Sequence, residues 1–268
     1  MRTTNYALIT GATSGIGYEL AKLFAKDGYN LAIVARHQEE LSSVADEFRQ
    51  QGVEVVTYAK DLFIREDAFT LCNEIDQSGI EITVLVNNAG QGAFGLFKNN
   101  DINRELDIIE LNIASMVIIT KHFIKEMIGR NKGKILNLAS IASAIPGPWH
   151  AVYHGTKAFI LSFSEALRSE LKDTAITVTA LMPGVTDTDF FNKAHMTQST
   201  IAQDKNAMSD PAQVAKDGYQ ALISGKDKVV SGFKNKIMVG MNNILPDTAM
   251  AEMMKKQQEP VKEKDKNH

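Results

Sequence analysis

The chain has 268 residues, of which 44% are hydrophobic, and it carries a formal net charge of −3. This composition is ample for a buried core, and the length is routine for a single α/β domain. Positive and negative side chains are interspersed without a basic stripe, which argues against nucleic acid as a partner. We expect no membrane span, because no apolar run approaches the ~20 residues of a membrane helix. We expect no signal peptide, because the N-terminal residues do not have the layout of one. The single cysteine, Cys72, excludes an internal disulfide and favours a cytoplasmic protein.

Short β-rich runs alternate with helical periodicity along the chain. The runs are apolar without alternation, which suggests a sheet buried on both faces, and the βα repetition implies parallel order. We therefore predict a doubly wound α/β fold with ligands at the carboxyl ends of the strands. The predicted strands cover residues 6–9, 31–34, 53–58, 83–86, 134–138, 176–181 and 228–231. The later predicted helices cover residues 66–77, 102–130, 151–172 and 211–223.

We expect one catalytic domain over residues 1–254. Residues 184–210 are polar with scattered aromatic residues, and both a mobile lid beside the site and an ordinary surface connection fit them. Residues 234–254 are rich in methionine, which suits a lid, a subunit interface or simple core packing. Their apolar helical stripe comprises Ile237, Met241, Ile244 and Leu245. Residues 255–268 are almost wholly polar and are expected to form a disordered tail.

A glycine-rich loop, TGATSGIG at residues 10–17, joins the first predicted strand to the first helix. Glycine lets the backbone turn sharply and lets a pyrophosphate approach the helix N-terminus, where free N–H groups favour an anion. The spacing is G-x3-G-x-G, so a tight turn or another nucleotide-like ligand, such as a methyl donor, also fits. The position after an N-terminal strand favours a dinucleotide.

Tyr153 and Lys157 stand four residues apart on a predicted helix, which puts a phenol and an ammonium on one face. We expect the lysine charge to lower the tyrosine pKa from about 10 towards working pH. Tyr153 is therefore a candidate proton donor to a carbonyl oxygen. Ser140 follows a predicted strand and is placed to hold the same oxygen. A Tyr-x3-Lys pair alone also occurs by chance in amphipathic helices.

Three more polar residues are candidates for the site because of their positions in the predicted strands and helices. Asn88 belongs to NNAG at residues 87–90, which closes the fourth strand, although turn chemistry also explains it. Asn112 lies inside a helical stretch, where asparagine costs roughly a few tenths of a kcal/mol relative to alanine. Asp61 ends the third strand, where it is placed to accept from an adenine amino group or to cap a loop.

Together these stretches resemble the short-chain dehydrogenase/reductase family over about residues 5–232. The resemblance rests on TGATSGIG, NNAG, the context of Asn112, then Ser140, YHGTK and Pro183-Gly184, in that order. It implies a Rossmann-type, seven-stranded parallel sheet in the order 3-2-1-4-5-6-7, with helices on both faces. It also implies a homodimer or homotetramer through the helices at about 102–130 and 151–172.

The resemblance implies a role for each site residue. Tyr153 is the general acid/base, and Ser140 orients the substrate oxygen. Lys157 lowers the tyrosine pKa and binds the nicotinamide ribose, whereas Asn112 positions a water in a proton relay. The catalytic set is therefore Asn112, Ser140, Tyr153 and Lys157. The implied cofactor-binding residues are Gly11, Thr13, Ser14, Gly15, Ile16, Gly17, Arg36, Asp61, Leu62, Asn88, Ala89, Gly90, Tyr153, Lys157, Pro183, Gly184, Val185 and Thr186.

The residues after the second strand indicate which cofactor binds. An NAD-selective site normally has an acidic residue here, which binds the ribose 2′-hydroxyl. This chain has Ala35 followed by Arg36, whose guanidinium suits a phosphate. An ordinary surface arginine is the alternative, but the missing acid favours NADP.

Two histidines, His150 and His154, lie close to Tyr153 in the sequence. His150 and His154 stand four residues apart, a spacing that can bind a metal on a helix. No third ligand or glutamate is nearby in the sequence, so no metal site is predicted. His154 also occupies a position between the tyrosine and the lysine where the family often has a small residue.

We interpret the chain as an NADPH-dependent oxidoreductase that reduces a carbonyl of ketone, aldehyde or 3-oxoacyl type to an alcohol, or catalyses the reverse. An NADP-binding redox sensor or scaffold is the alternative, and a methyl-donor-dependent transferase is a third reading. The catalytic set argues against both, because a protein that only binds does not need a matched acid. The substrate is not predicted, although several residues suggest a largely apolar pocket mouth. These residues are Ala93, Phe94, Ala144, Ile145, Trp149, Phe190 and Phe191.

Overall fold

The computed structural model describes residues 5–194, 196, 199–200, 208–242 and 245–259. Within them, seven strands form one parallel sheet in the order β3-β2-β1-β4-β5-β6-β7. The predicted fold class and strand order are therefore confirmed. The strands are β1 Tyr6–Thr10, β2 Asn30–Ala35, β3 Val55–Ala59, β4 Ile82–Asn87, β5 Gly133–Leu138, β6 Ile176–Met182 and β7 Lys228–Val230.

Helices connect the strands and continue beyond the last one. They are α1 Gly15–Lys26, α2 Gln38–Arg49, α3 Arg65–Ser78, α4 Ile102–Ile109, α5 Ser115–Arg130, α6 Ala151–Glu170, α7 Phe190–Lys193, α8 Pro211–Ile223, α9 Phe233–Asn242 and α10 Asp247–Gln258. The helical stretches predicted over residues 102–130 are α4 and α5, which a π-helical turn at Glu110–Ala114 joins. No helix of the described residues is both long enough and apolar enough to span a bilayer.

The two faces of the sheet carry separate cores, which is why the strands read as continuous apolar runs. Side chains of a strand point alternately to opposite faces. In β1, Ala7 and Ile9 pack with residues of α1, α2 and α8. Leu8 of the same strand packs with residues of α3 and α5. Helices therefore cover both faces and leave the carboxyl edge of the sheet open for a site.

Buried amides fix the relative positions of the central strands at that edge. The Asn87 side chain at the end of β4 donates to Asn137 Oδ1 of β5 over 2.8 Å, and to Thr120 Oγ1 of α5 over 2.9 Å. Asn137 in turn donates to Ser164 Oγ of α6 over 2.9 Å. Buried amides are stable only when they are paired. This network therefore holds β4, β5, α5 and α6 in one register.

The C-terminal part differs from expectation in where the helical structure ends. The polar tail was expected from residue 255, but α10 extends to Gln258, whose side chain is buried. Polar residues can continue a helix when another face of it is apolar, as here. On α9, Ile237 and Met241 are 49% and 39% exposed, so this part of the stripe does not pack in the chain's own core, and a lid or a subunit interface stays a prediction. Ile244 and residues 260–268 lie outside the described residues, as do 195, 197–198 and 201–207 of the segment 184–210.

Candidate active site

The glycine-rich loop wraps tightly around the N-terminus of α1. Gly11 and Gly15 have φ angles of 67° and 57°, a region that side chains with a Cβ rarely occupy. A Cβ on Gly17 would lie 2.2 Å from the carbonyl oxygen of Gly11, so the chain can pass here only without a side chain. Asn88 Nδ2 donates to the carbonyls of Thr10 and Gly11 over 2.9 and 3.0 Å, which ties the loop to β4.

A cleft of about 390 Å³ runs along the carboxyl edge of the sheet from this loop. The predicted cofactor-binding residues line it, with the exception of Gly17, which packs behind the loop against Gly11. Ser140, Tyr153 and Lys157 line the same cleft, whereas Asn112 lies behind its wall. The structure thus brings together residues that are up to about 170 positions apart in the sequence.

Tyr153, on the first turn of α6, lies beside Ser140 in the cleft. A hydrogen bond with the Ser140 side chain lowers the pKa of Tyr153, but burial has the larger effect and raises this pKa to about 12. The expected lowering by Lys157 is therefore wrong for the protein without ligands. The sequence shows the charge of the lysine but not the burial of the phenol. Burial removes water from around the phenol and so disfavours the charged phenolate.

Lys157 is a buried cation whose side chain is 4% exposed. Its Nζ donates to the carbonyl of Leu138 at the end of β5 over 2.7 Å and lies 5.7 Å from the centroid of the Tyr153 ring. Burial lowers the pKa of Lys157 to about 8. The ammonium therefore remains mostly charged at neutral pH, beside the cleft and close to the tyrosine.

Asn112 is buried in the π-helical turn between α4 and α5. Such turns are frequent at functional sites because they shift one side chain out of the helical pattern. Asn112 Nδ2 donates to the Gln91 carbonyl over 2.9 Å and to Thr156 Oγ1 over 3.0 Å, and its Oδ1 accepts from the Gln91 N–H. Its side chain therefore joins the loop after β4 to α6, one residue before Lys157.

An arginine and an aromatic ring form the end of the cleft beside β2 and β3. The exposed Arg36 guanidinium lies 5.6 Å from the centroid of the Phe63 ring, a favourable cation–π distance. Arg104 of α4 lies 5.4 Å from the same centroid. Lys60 also lines this end, but its ammonium is paired with Glu74 over 2.6 Å. Asp61 Oδ1 accepts from the Phe63 N–H over 3.2 Å, so the aspartate also shapes its own loop.

The segment after β6 forms another wall of the cleft. The Pro183 carbonyl accepts from the Ile141 N–H over 2.9 Å, which ties this segment to the turn after Ser140. Thr186 is buried and donates to the Gly184 carbonyl over 3.0 Å. Thr188 lies so close to Gly15 that a Cβ there would be 2.9 Å from its methyl group. The segment therefore lies directly over the glycine-rich loop.

Aromatic side chains surround Tyr153 on the side away from the glycine-rich loop. The rings of His150 and Phe190 have centroids 5.6 and 5.2 Å from that of Tyr153. Phe94 stacks on Trp149 with centroids 5.6 Å apart and also contacts His150. His154 Nδ1 is 2.6 Å from the Ile145 carbonyl, so this nitrogen donates a hydrogen bond and is not available to a metal.

Several residues of the cleft were not predicted from the sequence. Phe63 follows Asp61-Leu62 and could have been suspected from that position alone. Met254 and Gln258 of α10 line the cleft beside Tyr153 although they are about 100 residues away from it. The Leu138 carbonyl, which holds Lys157, is a backbone group that no sequence pattern identifies.

Comparison with known proteins identifies relatives of this arrangement. The chain matches the family model described as short chain dehydrogenase over residues 5–199. It is 37% identical over 179 residues to a very-long-chain 3-oxoacyl-CoA reductase of Coprinopsis cinerea, covering 65% of this chain and 52% of the relative. It is 35% identical over 195 residues to a probable NADP-dependent dehydrogenase of Haemophilus influenzae, covering 72% and 75%. The chain spans about half the length of the 3-oxoacyl-CoA reductases it matches.

A solved structure also superimposes on the chain. It is a variant of actinorhodin polyketide ketoreductase with NADPH, which has a TM-score of 0.75 and 28% sequence identity. The similarity covers 86% of this chain and 97% of that one. The fold is therefore shared over most of the chain.

Proposed function

The chain belongs to the short-chain dehydrogenase family, and from that premise we propose that it is an NADPH-dependent oxidoreductase that reduces a carbonyl group to an alcohol, or catalyses the reverse. The observation that carries this proposal is the Tyr153 phenol beside Ser140 and the buried Lys157 ammonium. These groups match a reaction in which a carbonyl oxygen gains a proton. The named activities of the relatives, 3-oxoacyl-CoA reductase and ketoreductase, belong to the same class of reaction.

The residues that line the cleft fit a dinucleotide from one end of the cleft to the other. The glycine-rich loop offers free N–H groups at the start of α1, which suit a pyrophosphate. Arg36 and Phe63 suit the adenosine end, and Lys157 suits the hydroxyls of the nicotinamide ribose. Thr186 and the preceding segment from Pro183 would hold the carboxamide end. NADPH, when bound, supplies the hydride, and the protein supplies binding, orientation and the proton.

The raised pKa of Tyr153, about 12, keeps its hydroxyl protonated at neutral pH. Tyr153 therefore acts as a general acid towards a carbonyl oxygen, and its phenolate would be the base in the reverse reaction. Ser140 holds the same oxygen. The Lys157 charge stabilises the phenolate that remains after proton transfer, because opposite charges a few Å apart attract strongly away from water. We further propose that Asn112 positions a water that returns the proton through Lys157.

An NADP-binding sensor with little turnover is the second candidate. It would need the cofactor end of the cleft but not the phenol, the serine hydroxyl and the buried cation together. A pure binder could use the Lys157 charge for the ribose hydroxyls, but it would gain nothing from the Tyr153 phenol and the Ser140 hydroxyl beside it.

Replacement of Tyr153 by phenylalanine tests the proposed reaction. The change removes the acid but keeps the ring, so kcat for an accepted carbonyl compound should fall by ~10²–10⁴-fold while NADPH affinity stays similar. The measurement is NADPH oxidation across a carbonyl panel, with NADPH titrated by fluorescence. Tyr219→Phe, which removes a phenol on α8 outside the cleft, is the control. A Tyr153→Phe enzyme with normal turnover would contradict the mechanism, and a wild type that binds NADPH but reduces nothing would favour the sensor.

We propose that Arg36 selects NADPH over NADH. Its guanidinium is held beside the Phe63 ring and is placed to bind the 2′-phosphate, whereas the Lys60 charge is already paired with Glu74. Ala35 offers no carboxylate to a ribose 2′-hydroxyl. The probable NADP-dependent dehydrogenase of Haemophilus influenzae is a relative with the same cofactor preference in its name.

Two substitutions separate the contributions to cofactor choice. A hydrogen bond to a charged group contributes ~1.5–3 kcal/mol, and the exposure of Arg36 puts its share at the lower end. Arg36→Ala should therefore weaken NADPH about tenfold and leave NADH nearly unaffected. Ala35→Asp should repel the phosphate and offer NADH an acceptor. The measurement is kcat/KM for both cofactors, and an unchanged ratio in Arg36→Ala would overturn the assignment.

We also propose a cytoplasmic homodimer or homotetramer that acts on a small molecule and not on nucleic acid. The free thiol of Cys72 suits a reducing compartment. Leu106 of α4 is 54% exposed and Phe159 of α6 is 39% exposed, and such residues on neighbouring helices suit an interface. Leu106→Glu should lower the mass seen by light scattering, whereas Phe69→Glu on the exposed side of α3 should not. A wild type of monomer mass would contradict the assembly.

A further inference from the structure

The C-terminal helix α10 forms part of the wall of the cleft. Met254 and Gln258 line the same cleft as Tyr153. Met250 and Met254 are buried and pack against Ile145, in the loop that follows Ser140. The apolar face of this helix therefore covers the space into which a substrate would extend from the reacting carbonyl.

Hydrogen bonds fix both ends of the C-terminal segment to the site. Asn242 at the end of α9 donates through Nδ2 to the Ala144 carbonyl over 2.6 Å. The Glu259 carbonyl, just after α10, accepts from the N–H and the hydroxyl of Thr200 over 3.3 and 3.1 Å. The wall is therefore attached both to the loop after Ser140 and to the segment after β6.

Gln258 brings an unusual polar group into this apolar wall. Its side chain is 4% exposed, and its Nε2 lies 3.3 Å from His154 Nε2. His154 Nδ1 must carry a proton, because it faces the Ile145 carbonyl over 2.6 Å and a carbonyl can only accept. His154 Nε2 therefore accepts from the Gln258 amide. Gln258 Oε1 is buried and has no hydrogen-bond partner within the described part of the chain.

A second unpaired polar atom lies nearby. His150 is 3% exposed, lines the cleft and packs edge-on against Tyr153. Its Nε2 also lacks a partner among the described residues. The rings of His150 and His154 have centroids 6.5 Å apart, so His150 and Gln258 are both neighbours of His154, and both line the cleft. Burial lowers the pKa of His150 to about 3, which makes the ring neutral at pH 7.

Buried polar atoms without partners cost free energy, and a ligand that pairs with them recovers it. A hydroxyl suits both atoms, because it donates one hydrogen bond and accepts others. An anion does not suit Gln258 Oε1, since two acceptors repel. Ile145, Met254 and Phe190 make the rest of this region apolar.

We propose that Gln258 and His150 form a hydrogen-bonding subsite for a substrate hydroxyl, so that the substrate is an uncharged, largely apolar ketone or aldehyde with a hydroxyl apart from its reacting carbonyl. The subsite deepens the proposed reductase function and rests on it for the identity of the reacting group. It makes Gln258 a specificity-determining residue and not a catalytic one.

Binding can be measured without turnover, because the chain has one tryptophan. Trp149 stacks on Phe94, which also contacts His150, so its fluorescence reports on this end of the cleft. The probes are hydroxylated cyclohexanones and hydroxyphenyl butanones, each paired with an analogue that has methyl in place of hydroxyl. Titrations are run with NADP⁺ present, and NADPH oxidation is recorded separately for the same pairs.

The wild type should bind at least one hydroxylated ketone about tenfold more tightly than its methyl analogue, as expected for one buried neutral hydrogen bond. Gln258→Leu should bring that ratio close to one. Gln257→Leu makes the same chemical change at the preceding position, outside the cleft, and should keep the ratio. Gln258→Met, which preserves the length of the side chain, replaces Gln258→Leu if that variant does not fold.

Ratios near one for every pair in the wild type, or a ratio that persists in Gln258→Leu, would overturn the subsite. A tenfold binding preference without NADPH oxidation would instead overturn the proposed function and leave the subsite standing. The two failures therefore give different results in the same set of measurements.

Discussion

The site depends on one buried positive charge. The Lys157 ammonium is removed from water, and its one hydrogen-bond acceptor among the described residues is the Leu138 carbonyl, at 2.7 Å. Burial of a charge is expensive, which is why the pKa of this lysine falls to about 8. Lys157 therefore stays mostly charged at neutral pH but loses its proton more easily than a lysine in water. A phenolate at Tyr153 or the hydroxyls of a bound ribose would supply the partners that the lysine lacks.

The surrounding structure fixes the position of that charge. The carboxyl end of β5 supplies the carbonyl, and the amides of Asn87 and Asn137 hold β5 against β4 and α6. The π-helical turn lets Asn112 bind Thr156, the neighbour of Lys157 on α6. Packing and polar contacts from four elements therefore converge on one side chain, and the cleft forms where their ends meet.

The sequence was sufficient where the chemistry is local and insufficient where it depends on burial or on distant elements. The alternation of apolar strands and helices predicted the fold, and the glycine-rich loop and the Tyr153–Lys157 pair, which lie within short segments, indicated the site through their spacing and the family resemblance. The direction of the Tyr153 pKa shift was wrong, because desolvation has no sequence pattern. Gln258 escaped notice because it belongs to a polar stretch, and its contact with His154 joins residues 104 positions apart.

The pKa of Lys157 is the quantity that tests this account most directly. It can be measured by titrating the Nζ resonance of ¹⁵N-labelled lysine in the protein without ligands, with Lys157→Met to assign the signal. The account predicts a pKa of about 8, because the ammonium is buried with a single carbonyl partner among the described residues. A value near 10.4, as for a lysine in water, would show that the charge is solvated and would contradict the central claim.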